Sequence, residues 1–287
     1  MVSRTQQDTT VTVIRPRRGW LALDARELWQ YRELFAFLVW RDLKVRYKQT
    51  LLGFAWAVIV PLATTLVFTI LFGRLGGLPT DGLPQPVFYM AGLVIWRYFS
   101  TSVGTASNSL VGNQPLLTKV YFPRLIVPGS TVVTGLMDLL ISFGILVLIM
   151  LYYDTLPAAT SLLLPGLVGI AVGTALGAGL LFSALNVRYR DIHHLVPFLL
   201  QLWMYVTVIV PFSRIPESVG PWRYLYGLNP MAGVVEGFRW CLAHHQMPPE
   251  AEAPWVLVGI GLFSMAAILL VGLLAFKRME RQFADIV

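Results

Sequence analysis

The chain has a single cysteine, Cys241, among its 287 residues. One thiol excludes an intrachain disulfide and offers no cysteine-based metal site. Charge is scarce as well: 13% of residues are Asp, Glu, Lys or Arg, against about 25% in soluble domains. No GxxxxGK[ST] phosphate loop occurs, so the chain is not expected to bind and hydrolyse ATP by itself. HExxH, GxSxG and Cys/His clusters are also missing, which removes the zinc-hydrolase and serine-hydrolase readings. No Asp/Glu pair suggests glycosidase chemistry. His193–His194 and His244–His245 are adjacent pairs; in a helix their rings would point apart, and they read as solvated loop histidines. The first 20 residues, MVSRTQQDTTVTVIRPRRGW, contain no apolar signal-peptide core. The first membrane span is then itself the insertion signal, and a non-enzymatic role is expected.

What is present in excess is apolar sequence. Hydrophobic residues make up 56% of the chain, and the mean hydropathy is +0.66. Leu51 to Gly73, LLGFAWAVIVPLATTLVFTILFG, is a run of 23 residues without a charge. As a helix it reaches ~34 Å, enough to cross a hydrocarbon core of ~30 Å. Just before it, WRDLKVRYKQT (40–50) carries four basic residues and one acid. An uncharged span abutting a cationic segment predicts a membrane helix with its basic end in the cytoplasm.

Further spans are expected at about 86–111, 126–150, 163–185, 195–213 and 255–276. This predicts an all-α membrane protein with six transmembrane helices over 51–276 and short connections rich in Gly, Pro and Asn. Residues 1–23 form a polar, basic cytoplasmic tail, and 277–287 a second one. The 24–50 segment reads as an amphipathic interface helix. Gln30, Glu33, Arg41, Lys44 and Lys48 lie on one stripe, interrupted by Phe37; Leu28, Tyr31, Phe35, Leu38 and Val39 lie on the other side. Its role is left between simple anchoring and docking of a partner.

The net charge of +7 would suit nucleic acid, but the basic residues flank apolar spans, so membrane topology explains them. With the N-terminus inside, 17 of the 22 basic residues fall in cytoplasmic segments. Both termini are therefore expected in the cytoplasm. Between spans five and six, NPMAGVVEGFRWCLA (229–243) starts with an N-cap and a proline at the first helical position. Some 13 helical residues reach only ~20 Å, so this piece is a re-entrant or surface helix at the outer mouth.

Three sets of residues stand out. Arg97 and Asp138 are the ionisable groups deepest in spans, both near mid-membrane, and are read as an intramembrane pair, structural or transport-related. Gly169, Gly173 and Gly177 form a glycine face in span four, a sign of close helix packing. Trp203, Tyr205, Trp222, Tyr226 and Trp240 are either an interfacial aromatic belt or sugar-stacking faces along a substrate path.

Several separated blocks resemble a known family. They are WRDLKVRYKQTLLGFAWAVIVP (40–61), Phe72–Gly73, AGLVIWRYFSTSV (91–103), NQPLLTKVYFPRLIVP (113–128), LNVRYRDI (185–192) and LNPMAGVVEGFR (228–239). In this order, from about Trp40 to the C-terminus, the chain resembles the membrane subunit of type-2 ABC exporters of bacterial cell-surface polysaccharide: O-antigen, capsule or teichoic acid. It departs from the family at YVTVIVPFSRIP (205–216), where a Ser-Pro-Val-like turn is frequent, and at Arg97, where a neutral polar residue is frequent.

The resemblance implies a homodimer in the inner membrane working with two copies of a separate ATPase, which holds ATP and Mg²⁺, to export a lipid-linked glycan. It implies that Asn113 to Arg124 is the coupling helix, with Asn113, Lys119, Tyr121 and Arg124 facing the ATPase. It further implies that Arg41 and Asp42 belong to the interface helix flanking it, that Arg190 and Asp191 form a second cytoplasmic contact, and that 230–242 is the periplasmic gate helix. Export of a drug or another lipid is the alternative within the family. An ATP-independent secondary transporter or channel is the alternative outside it, and a membrane scaffold a third.

Overall fold

The computed structural model describes residues 25–48, 53–209, 211–215, 217–248 and 253–280. The expected tail at 1–23, residues 281–287 of the tail expected at 277–287, and the start of the first span at Leu51–Leu52 lie outside these residues, while residues 277–280 of that second tail are helical and continue the last helix. Among the described residues there are ten α-helices and no strand. They are α1 (Ala25–Gln30), α2 (Arg32–Lys48), α3 (Gly53–Phe68), α4 (Gln85–Gly112), α5 (Gln114–Lys119), α6 (Ile126–Tyr152), α7 (Leu164–Arg188), α8 (Ile192–Met204), α9 (Pro230–Ala243) and α10 (Trp255–Glu280).

Five segments of the described residues are long and apolar enough to cross a membrane: Ala55–Leu75, Ile126–Tyr152, Ala159–Arg188, Ile192–Ile209 and Trp255–Glu280. The remaining expected span is α4. At 28 residues it reaches ~42 Å, but its composition is more polar than that of the others. Packing explains this. Helix α4 is the hub of the bundle, contacting α3, α6, α7, α8 and α9, and most of its residues are buried against protein. A helix that faces other helices can carry small polar residues, because their hydroxyls bond within the helix. Ser107 donates to the Gly104 carbonyl at 2.8 Å, and Ser109 to that of Ala106 at 2.7 Å.

Local chemistry sets the helix ends. Helix α3 contains Pro61 and passes into a π-helical turn, Thr69–Leu75, so the first span runs past its expected end at Gly73. Helix α8 likewise passes into a π-helical segment, Tyr205–Ile209, short of the expected 213. Pro211 follows and has no N–H with which to continue a helix. The expected interface helix is interrupted at Tyr31, between α1 and α2, yet backbone bonds run through the joint. Tyr31 N donates to Glu27 O at 3.2 Å, and Phe35 N to Tyr31 O at 3.0 Å.

The α7–α10 pair packs the most closely. A Cβ on Gly177 would lie 2.6 Å from the Leu269 Cα, and one on Gly272 would collide with the Gly177 carbonyl. Of the expected glycine face, Gly173 and Gly177 meet α10, whereas a Cβ on Gly169 would meet nothing within 4 Å.

Candidate functional site

At one end of the bundle, the ends of α4, α7 and α10 meet the starts of α6 and α8. Leu38 of α2 is buried there with Leu110, Phe122, Ile126, Leu180 and Phe276. The apolar side expected of the interface helix is partly in place, since Leu28, Tyr31 and Phe35 pack against the same cluster. Phe37 and Trp40 remain exposed, and the Lys44 ammonium sits 4.5 Å over the Trp40 ring.

The structure brings Arg41, Asp42 and Asn113 together. Arg41 donates to the Asp42 carboxylate at 2.9 and 2.8 Å and to Asn113 Oδ1 at 2.9 Å. Asn113 in turn donates from Nδ2 to the Ser109 carbonyl at 2.8 Å. One asparagine thus joins α2, the end of α4 and the start of α5. Helix α5 is six residues long and buries none of them. Lys119 and Tyr121 are exposed. The Tyr121 carbonyl accepts a long bond of 3.4 Å from the Tyr31 hydroxyl. Arg124 is turned inward, donating to the Glu280 carbonyl at 3.0 Å, and so fastens the loop to the end of α10.

Arg190 and Asp191 are exposed beside the start of α8. They share this end of the molecule, because His193 Nδ1 lies 2.7 Å from Asn108 Oδ1 and Asn186 donates to the same oxygen at 3.0 Å. His193 is therefore bonded as well as exposed.

The expected Arg97–Asp138 pair does not form. Asp138 is held by two residues of α2: Arg46 makes the ion pair and Tyr47 donates its hydroxyl to the other carboxylate oxygen. The charge deep in α6 is thus met by the interface helix, which runs up against α6. Phe35 lies 3.5 Å from the place of a Cβ on Gly129, and Arg46 reaches Asp138 nine residues further along. Sequence spacing does not reveal this partner, because Arg46 lies in the basic stretch before the first apolar run, far in sequence from Asp138. Burial raises the Tyr47 hydroxyl well above its usual value, and the bond to Asp138 adds to that. Tyr47 therefore stays protonated and donates.

The opposite end carries the second site. Helix α9, 14 residues long, is too short to span, and nearly all of it is buried. The Asn229 side chain caps it, accepting from Met231 N at 3.1 Å. Gly233 and Gly237 bring it against Leu257 of α10 and Leu167 of α7. Arg239 anchors it. Its fully buried guanidinium pairs with Glu236 at 3.0 Å, donates to the Val208 carbonyl at 2.6 Å and to the Phe88 carbonyl at 3.3 Å, and lies 3.7 Å over the Phe88 ring. Glu236 also accepts from Phe212 N at 3.3 Å. The spacing of three between Glu236 and Arg239 in an apolar helix was the available signal for this clamp.

The five expected path aromatics are not gathered on one wall. Trp203 packs edge-on against Trp96 and Phe99, at 6.0 and 5.4 Å between ring centroids. Tyr226 donates to the Val206 carbonyl at 2.8 Å and stacks on Phe212. Trp240 stacks on His244 at 4.6 Å and meets Trp255 edge-on. Only Tyr205 and Trp222 present open faces, at 41% and 70% exposure. His244, expected as a solvated loop residue, is instead stacked and 3.1 Å from the Thr160 hydroxyl. No group of three or more metal-ligating residues occurs among the described residues.

Long apolar helices around a polar but buried hub define an integral, multi-pass membrane protein. The chain belongs to the ABC-2 type transporter family, whose model matches residues 33–243. That family is the permease part of its transporters, not the catalytic part. The chain is 34% identical over 239 residues to the O-antigen export system permease protein RfbA of Myxococcus xanthus, covering 83% of this chain and 90% of the relative. It is 28% identical over 258 residues to the O-antigen export system permease protein RfbA of Klebsiella pneumoniae, covering 88% and 95%. It is 26% identical over 204 residues to the polysialic acid transport protein KpsM of Escherichia coli, covering 68% and 76%.

Proposed function

We propose that this chain is the membrane subunit of an ATP-driven exporter that moves a lipid-linked polysaccharide from the cytoplasm outward. Two copies enclose the path, and two copies of a separate ATPase, carrying ATP and Mg²⁺, dock on the cytoplasmic side. The subunit sits in the inner membrane of a bacterium with six spans, α4 included, and with both termini inside. The names of its relatives support the polysaccharide class, and the excess of basic residues at the α5 end supports the orientation.

The observation that carries the mechanism is the pair of ties made by α2. Arg41 binds Asn113 at the α4–α5 junction, and Arg46 binds Asp138 deep in α6. Pressure on exposed α5 from an ATPase would pass through Asn113 to α2, and from α2 to the middle of α6. At the far end, the Arg239 clamp ties α9 to α4 and to the π-helical segment that follows α8. Helix α9 is then the gate, and an outward opening must loosen these bonds.

Reconstitution with the ATPase tests the reading, with ATP hydrolysis measured against defined lipid-linked glycans. Stimulation by glycan-bearing lipid supports it. Stimulation by a drug or a plain lipid instead would reassign the substrate, and transport without ATPase would remove the coupling argument.

A further inference from the structure

Arg97 is the thirteenth of the 28 residues of α4, midway along the hub. It lines a cavity of ≈ 260 Å³ between α3, α4 and α8. Among the described residues its guanidinium makes no hydrogen bond and no ion pair. Its backbone carbonyl, not its side chain, accepts from the Ser100 hydroxyl at 3.2 Å. Asp138 attracts the guanidinium and Arg46 repels it, but Asp138 is bonded to Arg46 and not to Arg97. An unpaired cation at this depth is expensive to keep, so a role for it must come from something that enters the cavity.

The walls indicate what that is. Thr64, Ser100 and Thr101 bring hydroxyls to the same space, while Pro61, Trp96 and Met204 supply apolar surface. The Thr101 hydroxyl is uncommitted among the described residues. A guanidinium fork with hydroxyl donors beside it suits a phosphate oxygen pair, and the apolar walls suit the first carbons of a lipid chain. Bulk phospholipid headgroups stay at the membrane surface, whereas a phosphate joining lipid to sugar in the proposed substrate would pass mid-depth during export.

We propose that Arg97 and Thr101 form an anion subsite for the phosphate that joins lipid to glycan as the substrate crosses the membrane. This rests on the export reading and adds to it a station on the path.

The test uses the full-length protein in phosphatidylcholine nanodiscs, titrated with a long-chain polyprenyl phosphate and, separately, with the corresponding polyprenol. Bound lipid is measured by native mass spectrometry. The phosphate should bind at least about tenfold more tightly than the alcohol. Arg97→Gln should erase this preference and Arg97→Lys should keep part of it. If Arg97→Gln does not fold, Thr101→Val carries the test and should lower the preference about threefold. Equal binding of phosphate and alcohol to the unaltered protein, or an undiminished preference in the folded variants, overturns the proposal. So does equal displacement of the probe by phosphatidylglycerol, which would make the site one for bulk headgroups. Glycan export by the unaltered protein with its ATPase, measured in parallel, tells a failure of the subsite from a failure of the export reading.

Discussion

Arg46 of α2 and Asp138 of α6 are ion-paired, with Tyr47 bonded to the same carboxylate. Asp138 lies about halfway along α6, so the interface helix does more than lie on the membrane surface. Its C-terminal end is fastened to the interior of a span. The same helix is bonded to the start of α5 through Arg41 and Asn113. A rigid element attached at both places can carry a displacement from one to the other.

The pair should show itself in a double-mutant cycle. Asp138→Leu or Arg46→Leu alone leaves an uncompensated charge; breaking a buried pair costs ~3–5 kcal/mol. Both side chains keep some exposure, 28% and 22%, so a loss of about 1–3 kcal/mol is expected here. The double variant should be more stable than either single one in thermal unfolding. The matching cycle between Arg97 and Asp138 should be close to additive. Strong coupling in that second cycle and none in the first would contradict the assignment.

Arg239 gives a sharper expectation, because its side chain is wholly buried. Arg239→Leu should cost about 3–5 kcal/mol by leaving Glu236 unpaired, and Glu236→Gln less. Burial holds the Glu236 carboxyl above its usual range, with Arg239 pulling it back. A carboxyl with a raised folded-state value binds its proton more tightly in the native state. Its contribution is complete at acid pH and is lost as pH rises through that value. Glu236→Gln should therefore flatten the fall in melting temperature between acid and neutral pH. A slope unchanged by the substitution would show that Glu236 is not its source.

Much of this architecture is legible in the sequence, because membrane spans announce themselves by uninterrupted apolar length. The spans at α6, α7 and α10 are of that kind, and the short α9 was readable from its cap and its length. The pairing of charges was not. Asp138 and Arg97 are neighbours by depth, but which cation reaches Asp138 depends on how α2 leans on α6, and periodicity carries no such information. The aromatic set failed for a similar reason. Composition gives the rings, whereas Trp203 and Trp240 are taken up by neighbours contributed from distant segments. The residues expected to couple divide in three: Arg41, Asp42 and Asn113 are joined by side-chain bonds, Arg124 is bonded to the end of α10, and Lys119, Tyr121, Arg190 and Asp191 are exposed at the same end of the bundle.

Glycine positions in α7 offer a graded test of packing. Gly177→Val should separate α7 from α10, because its first carbon already meets the Leu269 backbone at 2.6 Å. A loss of several kcal/mol, or no folded protein, is expected; overpacking alone typically costs ~1–3 kcal/mol, and backbone cannot yield as a side chain can. Gly169→Ala should be neutral or slightly stabilising, since it meets nothing and alanine favours the helix by ~1 kcal/mol. Thermal unfolding of the two variants side by side decides this, and equal effects would refute the close approach.

Docking of the ATPase and the orientation can be probed together. Lys119 and Arg190 are exposed at the α5 end, so Lys119→Glu with Arg190→Glu should weaken co-purification of the ATPase while leaving membrane insertion intact. Arg124→Glu should act differently, because Arg124 is bonded to the end of α10; it should lower stability as well. In intact cells, an impermeant thiol reagent should label Ser218→Cys and spare Val120→Cys. Cys241 is buried and should not interfere. Labelling of residue 120 from outside would reverse the orientation and end the docking argument.

The exposed and the packed aromatics should separate in export assays. Tyr205 and Trp222 have open ring faces, so Tyr205→Ala or Trp222→Ala should slow export with little change in protein level. Stacking on nucleobases is worth ~1–3 kcal/mol per ring, and sugar rings should gain less, so each loss should be partial. Trp203→Ala and Trp240→Ala remove rings that are packed against other side chains, and a large buried aromatic costs ~3–5 kcal/mol on truncation. For these two, protein level and export should fall together. Tyr226→Phe should forfeit the hydroxyl's bond to the Val206 carbonyl and its longer contact with that of Thr207, at a cost of about 1 kcal/mol, and loosen the turn at Val206. The measurement is exported glycan per unit of folded protein for each variant. If the ratio is unchanged for Tyr205→Ala and Trp222→Ala, these rings anchor the protein in the interface and do not touch the glycan.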